Sequence, residues 1–176
     1  AQHHALAREL ATECAVLLKN DGQILPLDTS ARIAVIGEFA RTPRFQGGGS
    51  SHVNATRVDT ALDFIREHSE DTVDFAAGFT LDGTGDAETL RAQAVAIARR
   101  VDVAVVFAGL ADSDESEGYD RTNLELPAGQ IELITAVAAV APRTVVVLAN
   151  GGVVTVEGWH DLVDAIVEGF LLGQAG

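Results

Sequence analysis

At 176 residues the chain has the size of one ordinary domain with a real core, and 47% apolar with 22% charged residues is a globular composition. Lys plus Arg number 12 against 26 Asp plus Glu, a net charge of −14 that repels nucleic-acid phosphates and anionic membrane surfaces. The one cysteine, Cys14, excludes an intrachain disulfide and any cysteine-based metal site.

In chain order, Leu6, Leu10, Cys14, Leu17 and Leu18 have helical spacing, which predicts a helix over residues 4–18 with Cys14 as a buried structural thiol. Asn20-Asp21-Gly22 ends it with turn chemistry. Arg32–Gly37 is a continuous apolar run that reads as a buried strand. Glu38–Asn54, about 17 residues rich in Gly, Ser and Arg, is longer than the usual connection and so is expected to carry function or disorder. Val58–His68 reads as a short helix and Val73–Ala77 as a strand, and Asp86 is placed to cap a helix over Ala87–Arg100. Val103–Leu110 is a second fully apolar strand, followed by an acidic loop, Ala111–Glu125. Pro127 opens a helix through Val140, and Thr144–Ala149 is a third buried strand. After the Asn150-Gly151-Gly152 turn, Val153–Val156 reads as a short edge element and Asp164–Phe170 as a last strand.

Val/Ile runs alternating with helices mean an α/β fold, a mainly parallel doubly wound sheet covered on both faces in a three-layer sandwich, and residues 1–176 read as one domain. No run reaches the roughly 18 apolar residues of a membrane span. No signal peptide is visible, and one free thiol suits a cytoplasmic location. Both ends read as cut: the chain starts inside a helical pattern and stops at Gly176 straight after an apolar run.

In open α/β sheets ligands sit beyond the carboxyl ends of the strands. Two long loops leave such ends, and parallel strands would put both on one edge. The second packs Asp112, Asp114, Glu115, Glu117 and Asp120 into nine residues. Its spacing does not match a twelve-residue calcium loop. It is either a solvated loop or one that holds a carboxyl beside others and partly out of water, where its pKa rises and it becomes a proton donor. The first loop holds Arg44, Gln46, Gly47, Gly48, Gly49, Ser50, Ser51 and His52, either a flexible linker or a backbone approaching a ligand closely, with donors suited to sugar hydroxyls. It carries neither a dinucleotide fingerprint nor a phosphate loop, and no G-x-S-x-G elbow is present. His3, His4, His68 and His160 have no metal-ligand spacing, so no metal or other cofactor is implied.

The segments AVLLKNDGQILPL (15–27), IAVIGEFA (33–40), QGGGSSHVNATRVDTALD (46–63), VAVVFAGL (103–110), ESEGYDRTNLELPAGQIELI (115–134), VVVLANGG (145–152) and GFLLGQAG (169–176) resemble, in order, the C-terminal α/β sandwich domain of family 3 glycoside hydrolases of the β-glucosidase type. The resemblance implies a retaining β-glycosidase. In that family a barrel domain supplies an aspartate nucleophile, and the α/β domain supplies the acid/base. A barrel needs about 250 residues, so none is present in this chain. Carried over residue by residue, Glu117 matches the acid/base, with Glu115 as its rival. The resemblance further implies that Arg44, Gln46, Gly48, Gly49, Ser50, Ser51 and Glu115 line the sugar site, and that Asp120 and Arg121 pair to fix the loop. Lys19 and Asn20 read as structural. The implied partners are a β-glucoside or related oligosaccharide and the barrel of the same polypeptide, with no nucleic acid and no membrane. A non-catalytic sugar-binding module and a nucleotide-binding doubly wound domain remain as alternatives.

Overall fold

A computed structural model describes residues 2–176. The elements are α1 (Gln2–Cys14), β1 (Val16–Asn20), β2 (Ile33–Ile36), α2 (Ala61–His68), β3 (Asp74–Ala76), α3 (Ala87–Ala98), β4 (Val103–Gly109), α4 (Ala128–Ala138), β5 (Thr144–Ala149) and β6 (Ala165–Glu168). They form one sheet of order β1-β6-β5-β4-β2-β3, parallel except for β1, which runs antiparallel to β6. This is the expected doubly wound α/β sandwich.

Side chains alternate across the strands, so each central strand feeds two cores. Ala34, Ile36, Ala104, Val106 and Val146 pack under α3 and α4 with Ala94, Ala98, Leu133, Ile134 and Val137. Ile33, Val35, Val103, Val105 and Val145 face the other way, against Leu62 of α2. Both layers are buried, which is why these strands read as unbroken Val/Ile runs. Two caps set helix starts: Asp86 accepts from the N–H groups of Glu88 and Thr89, and Thr60 accepts from Asp63 N–H.

Three expectations need correction. The helix predicted over residues 4–18 ends at Cys14, and Val16–Asn20 is a strand. Leu17 and Leu18 continue the helical spacing, but the backbone here pairs with β6, near the other end of the chain, which local periodicity cannot register. Cys14 is exposed, not buried. Val153–Val156 forms no strand; it is held by single contacts such as Thr155 N–H to Leu124 O at 2.7 Å. Asn20 and Lys19 are tied structurally: the Asn20 amide exchanges two 3.0 Å bonds with the backbone of Leu25, and Lys19 donates to His160 O at 2.8 Å.

Asp59, only 5% exposed, fastens α1 to the body of the domain. His4 and Arg8 of α1 meet one carboxylate oxygen and Arg57 the other, at 2.7 Å, while Asp59 N–H donates to Gln174 O. Burial raises the Asp59 pKa, but His4, Arg8 and Arg57 outweigh it and hold it at about 2, below its ordinary 3.8. A depressed carboxyl pKa contributes stability that is present above the ordinary value and lost as pH falls toward the folded value. Asp59→Asn is therefore expected to cost about 1–2 kcal/mol at neutral pH, allowing for the exposed arginines, with the deficit closing as pH falls from 4 to about 2. Urea midpoints across that range check it; a deficit that does not change with pH would count against the account.

Candidate active site

The chain reverses direction at β2. Its own crossover leads outward to β3, whereas β4 pairs on its other side and the remaining strands follow from there. The carboxyl ends of β2 and β4 thus flank the topological switch point, where open α/β sheets form their crevice. The loop of residues 37–60 leaves β2 there and the acidic loop leaves β4. The backbone at the exit of β4 is held by Gln130, 5% exposed, whose amide accepts from Gly109 N–H at 2.8 Å and donates to Gly109 O at 2.9 Å.

Arg44 joins the two loops. Its guanidinium, with a side chain 6% exposed, donates to the Glu115 carboxylate, to Leu110 O at 2.8 Å and to Asp112 Oδ1 at 3.1 Å. The Glu115 carboxylate also accepts from Gly151 N–H on one oxygen and from Gly152 N–H at 2.8 Å on the other. Glu115 thereby ties together the loops that follow β2, β4 and β5. Burial raises its pKa, but the N–H groups of Gly151 and Gly152 and the Arg44 charge overcome this and leave it below the ordinary glutamate value. A carboxylate so held is an ionised fastening with no proton to give.

Glu117, two residues on, is different. It is exposed, and its carboxylate accepts from the Ser50 hydroxyl at 2.7 Å. Gly49 lets it come this close: at φ +84° a Cβ there would lie 2.8 Å from Glu117 Oε2. The first loop is closed on itself by Gln46, whose amide accepts from Val53 N–H at 2.9 Å and donates to Val53 O at 3.3 Å. Ser51 donates to Gly47 O, and Gly48 lies against Ser116. His52 faces Asp112 at 3.5 Å, and the Tyr119 hydroxyl closes the acidic loop on Ser113 O at 2.8 Å. The predicted residues of both loops are thus brought to one edge of the sheet.

The expected Asp120–Arg121 pair does not form. Asp120 is exposed, and Arg121 instead donates to Val153 O and lies beside Gly152. Sequence reasoning missed Gln130, Gly151, Gly152, Asn150 and Glu168. Backbone N–H donors carry no side-chain signature. Glu168 was open to detection as a carboxylate ending the otherwise apolar run Ala165–Val167. Among the described residues, no group of three or more His, Cys, Asp or Glu is arranged to hold a metal ion.

Residues 15–176 match the family model of the glycosyl hydrolase family 3 C-terminal domain. The chain is 47% identical over 183 residues to an exo-α-(1→6)-L-arabinopyranosidase of Bifidobacterium longum, covering 99% of this chain and 24% of that protein. It is 47% identical over 175 residues to thermostable β-glucosidase B of Acetivibrio thermocellus, covering 98% of this chain and 23% of that protein. The solved structure of a family 3 β-glucosidase from Bifidobacterium adolescentis superposes with a TM-score of 0.93 at 50% identity, over 99% of this chain and 26% of the other. The chain thus spans about a quarter of the length of these relatives.

Proposed function

This chain belongs to glycosyl hydrolase family 3 as its C-terminal domain, and from that premise we propose that it supplies the general acid/base, Glu117, of a retaining β-glycosidase. The observation that carries the assignment is the division of labour in the acidic loop. Glu115 is consumed by Arg44 and two backbone N–H groups, whereas Glu117 faces outward and, among the described residues, meets the Ser50 hydroxyl alone.

The reaction follows from that placement. Glu117 protonates the glycosidic oxygen as the C1–O bond breaks, and a carboxylate from another domain of the polypeptide bonds to C1 from the opposite face. Glu117, now ionised and accepting from Ser50, then takes a proton from water as that water displaces the ester. Two displacements return the anomeric carbon to its starting configuration, and the two carboxyls stand about 5–5.5 Å apart. The nucleophile belongs to the barrel domain of the same polypeptide. The loop from Arg44 to His52 forms the outer wall of the sugar pocket, presenting Ser50 and Ser51, with Arg44 and Gln46 holding its shape.

The substrate class is a terminal sugar with an equatorial anomeric bond. β-D-Glucosides and α-L-arabinopyranosides, the substrates in the names of two relatives, share that geometry. A proton donor on the flank of the ring therefore serves either. In the full-length enzyme carrying this domain, Glu117→Ala with an activated aryl β-glucoside should be rescued by azide, giving a β-glycosyl azide. Azide rescue of Glu115→Ala in place of Glu117→Ala would move the role to Glu115, and a wild-type enzyme without glycosidase activity would sink the reading.

A further inference from the structure

We infer that Glu168 is a positioning residue for the acid/base carboxylate, acting through Asn150 and the Gly151–Gly152 turn on Glu115. The inference rests on the assignment of Glu117 above and extends it to residues that never touch the substrate.

Glu168 ends β6 and is 8% exposed. A carboxyl buried at the end of an apolar strand is costly without a cation, and among the described residues no Lys, Arg or His pairs with it. It accepts from Phe170 N–H at 2.8 Å and from the Asn150 side-chain Nδ2 at 3.2 Å. Asn150, 2% exposed, follows β5, and the same Nδ2 also donates to Gly152 O at 3.0 Å. The N–H of Gly152 holds one oxygen of Glu115, and the N–H of Gly151 holds the other. Through Glu115 the chain of contacts reaches the acidic loop two residues before Glu117.

Two features make this a relay and not a coincidence of packing. The first is the Asn150 amide. Its Oδ1 is buried and has no partner among the described residues, so its orientation is set by the two acceptors that Nδ2 meets. Without Glu168 as one of those acceptors, little prevents the amide from turning over and releasing Gly152 O. The second is the absence of slack further along. A Cβ on Gly151 would stand 2.9 Å from Glu115 Oε1, and one on Gly152 3.1 Å from Glu115 Oε2. The turn is pressed against the carboxylate, so a displaced turn displaces Glu115. The two carboxyls also sense each other: burial raises the Glu168 pKa, hydrogen bonds from Phe170 and Asn150 oppose that, and the Glu115 charge raises it further.

Glu168→Gln tests the relay at constant volume. The glutamine oxygen still accepts from Phe170 N–H, but its amide nitrogen confronts the Asn150 nitrogen, donor against donor. In the full-length enzyme, kcat/KM is read on an alkyl β-glucoside, which needs leaving-group protonation, and on 2,4-dinitrophenyl β-glucoside, which does not. A displaced acid is expected to lower the first by about tenfold to a hundredfold and the second by less than about twofold. Equal losses on both substrates would show a merely structural role, and no loss on either would show none; each result overturns the inference. If Glu168→Gln does not fold, Gly152→Ala reads the next link, since its Cβ would meet Glu115 Oε2 at 3.1 Å and, on the other side, only the flexible end of Arg121 at 3.2 Å. The same selective loss supports the relay, and an unchanged ratio between the substrates overturns it. Glu117→Ala with azide in the same assay keeps the two claims apart. If its rescue fails, the acid/base assignment falls; if it succeeds while the Glu168 and Gly152 variants keep the wild-type substrate ratio, only the relay falls.

Discussion

Glu117→Ala in the full-length enzyme is expected to lower kcat/KM for alkyl β-glucosides by about 10²–10⁴-fold, the usual contribution of a positioned general acid. On 2,4-dinitrophenyl β-glucoside, kcat/KM should change little, because that leaving group departs without a proton. There kcat falls instead, since the second displacement lacks its base, and the glycosyl-enzyme accumulates. Azide needs no base. It forms its bond to C1 as the ester bond breaks, enters the space left by the carboxylate, and restores kcat with a product of retained configuration. Stability should barely move, because Glu117 is exposed and its one described hydrogen bond is to Ser50. Glu115→Ala differs on stability. It unfastens three loops at once and lowers the melting temperature; activity falls on both substrates, further on the alkyl glucoside because the acidic loop shifts, and azide does not restore it. A Glu117→Ala enzyme that loses the same factor on both substrates would contradict the proton-donor role.

The contrast between these two glutamates was beyond the sequence, although both were visible in it. Two residues apart in a run of five carboxylates from Asp112 to Asp120, they have the same local pattern, and what separates them lies on other loops: Arg44, Gly151 and Gly152 for one, Ser50 for the other. What could be read was the edge of the sheet. β2, β4 and β5 are buried on both faces, so their Val/Ile runs stand out. Once those strands are parallel, the loops that follow β2 and β4 must share an edge. What could not be read was pairing at long range. β1 looks helical because Leu17 and Leu18 fall on the spacing of Leu6 and Leu10, and only its ladder with β6 decides otherwise. The Asn150-Gly151-Gly152 turn was legible as a turn, but turn chemistry says where a chain reverses, not what its N–H groups hold.

Arg44→Met carries the other large effect, and it falls on folding as well as catalysis. Arg44 has a side chain 6% exposed and is the cation paired with Glu115 among the described residues, the Glu115 side chain itself being 15% exposed. Removing a single partner of a buried ion pair strands the other, at about 3–5 kcal/mol when both are fully buried. Partial solvent access to Glu115, and the two N–H bonds it keeps, reduce this to about 2–4 kcal/mol, or a melting temperature lower by about 5–15 °C for a domain of this size. The Arg44 bonds to Leu110 O and Asp112 are lost with it, so the start of the acidic loop is released and activity falls on every substrate. Two signatures identify the stranded charge. Adding Glu115→Gln to Arg44→Met should recover part of the stability, because an uncharged amide tolerates the site that an unpaired carboxylate does not. The pH dependence should also shrink. Glu115 sits below its ordinary pKa in the folded protein, so its contribution is present above the ordinary glutamate range and is lost as pH falls through the folded value. Without Arg44 less of it remains to be lost, and the gap between variant and wild type narrows in acid. Thermal melts of the four proteins of the cycle at neutral and acidic pH measure both signatures. A single variant within about 0.5 kcal/mol of wild type would reduce the Arg44–Glu115 contact to an ordinary surface pair.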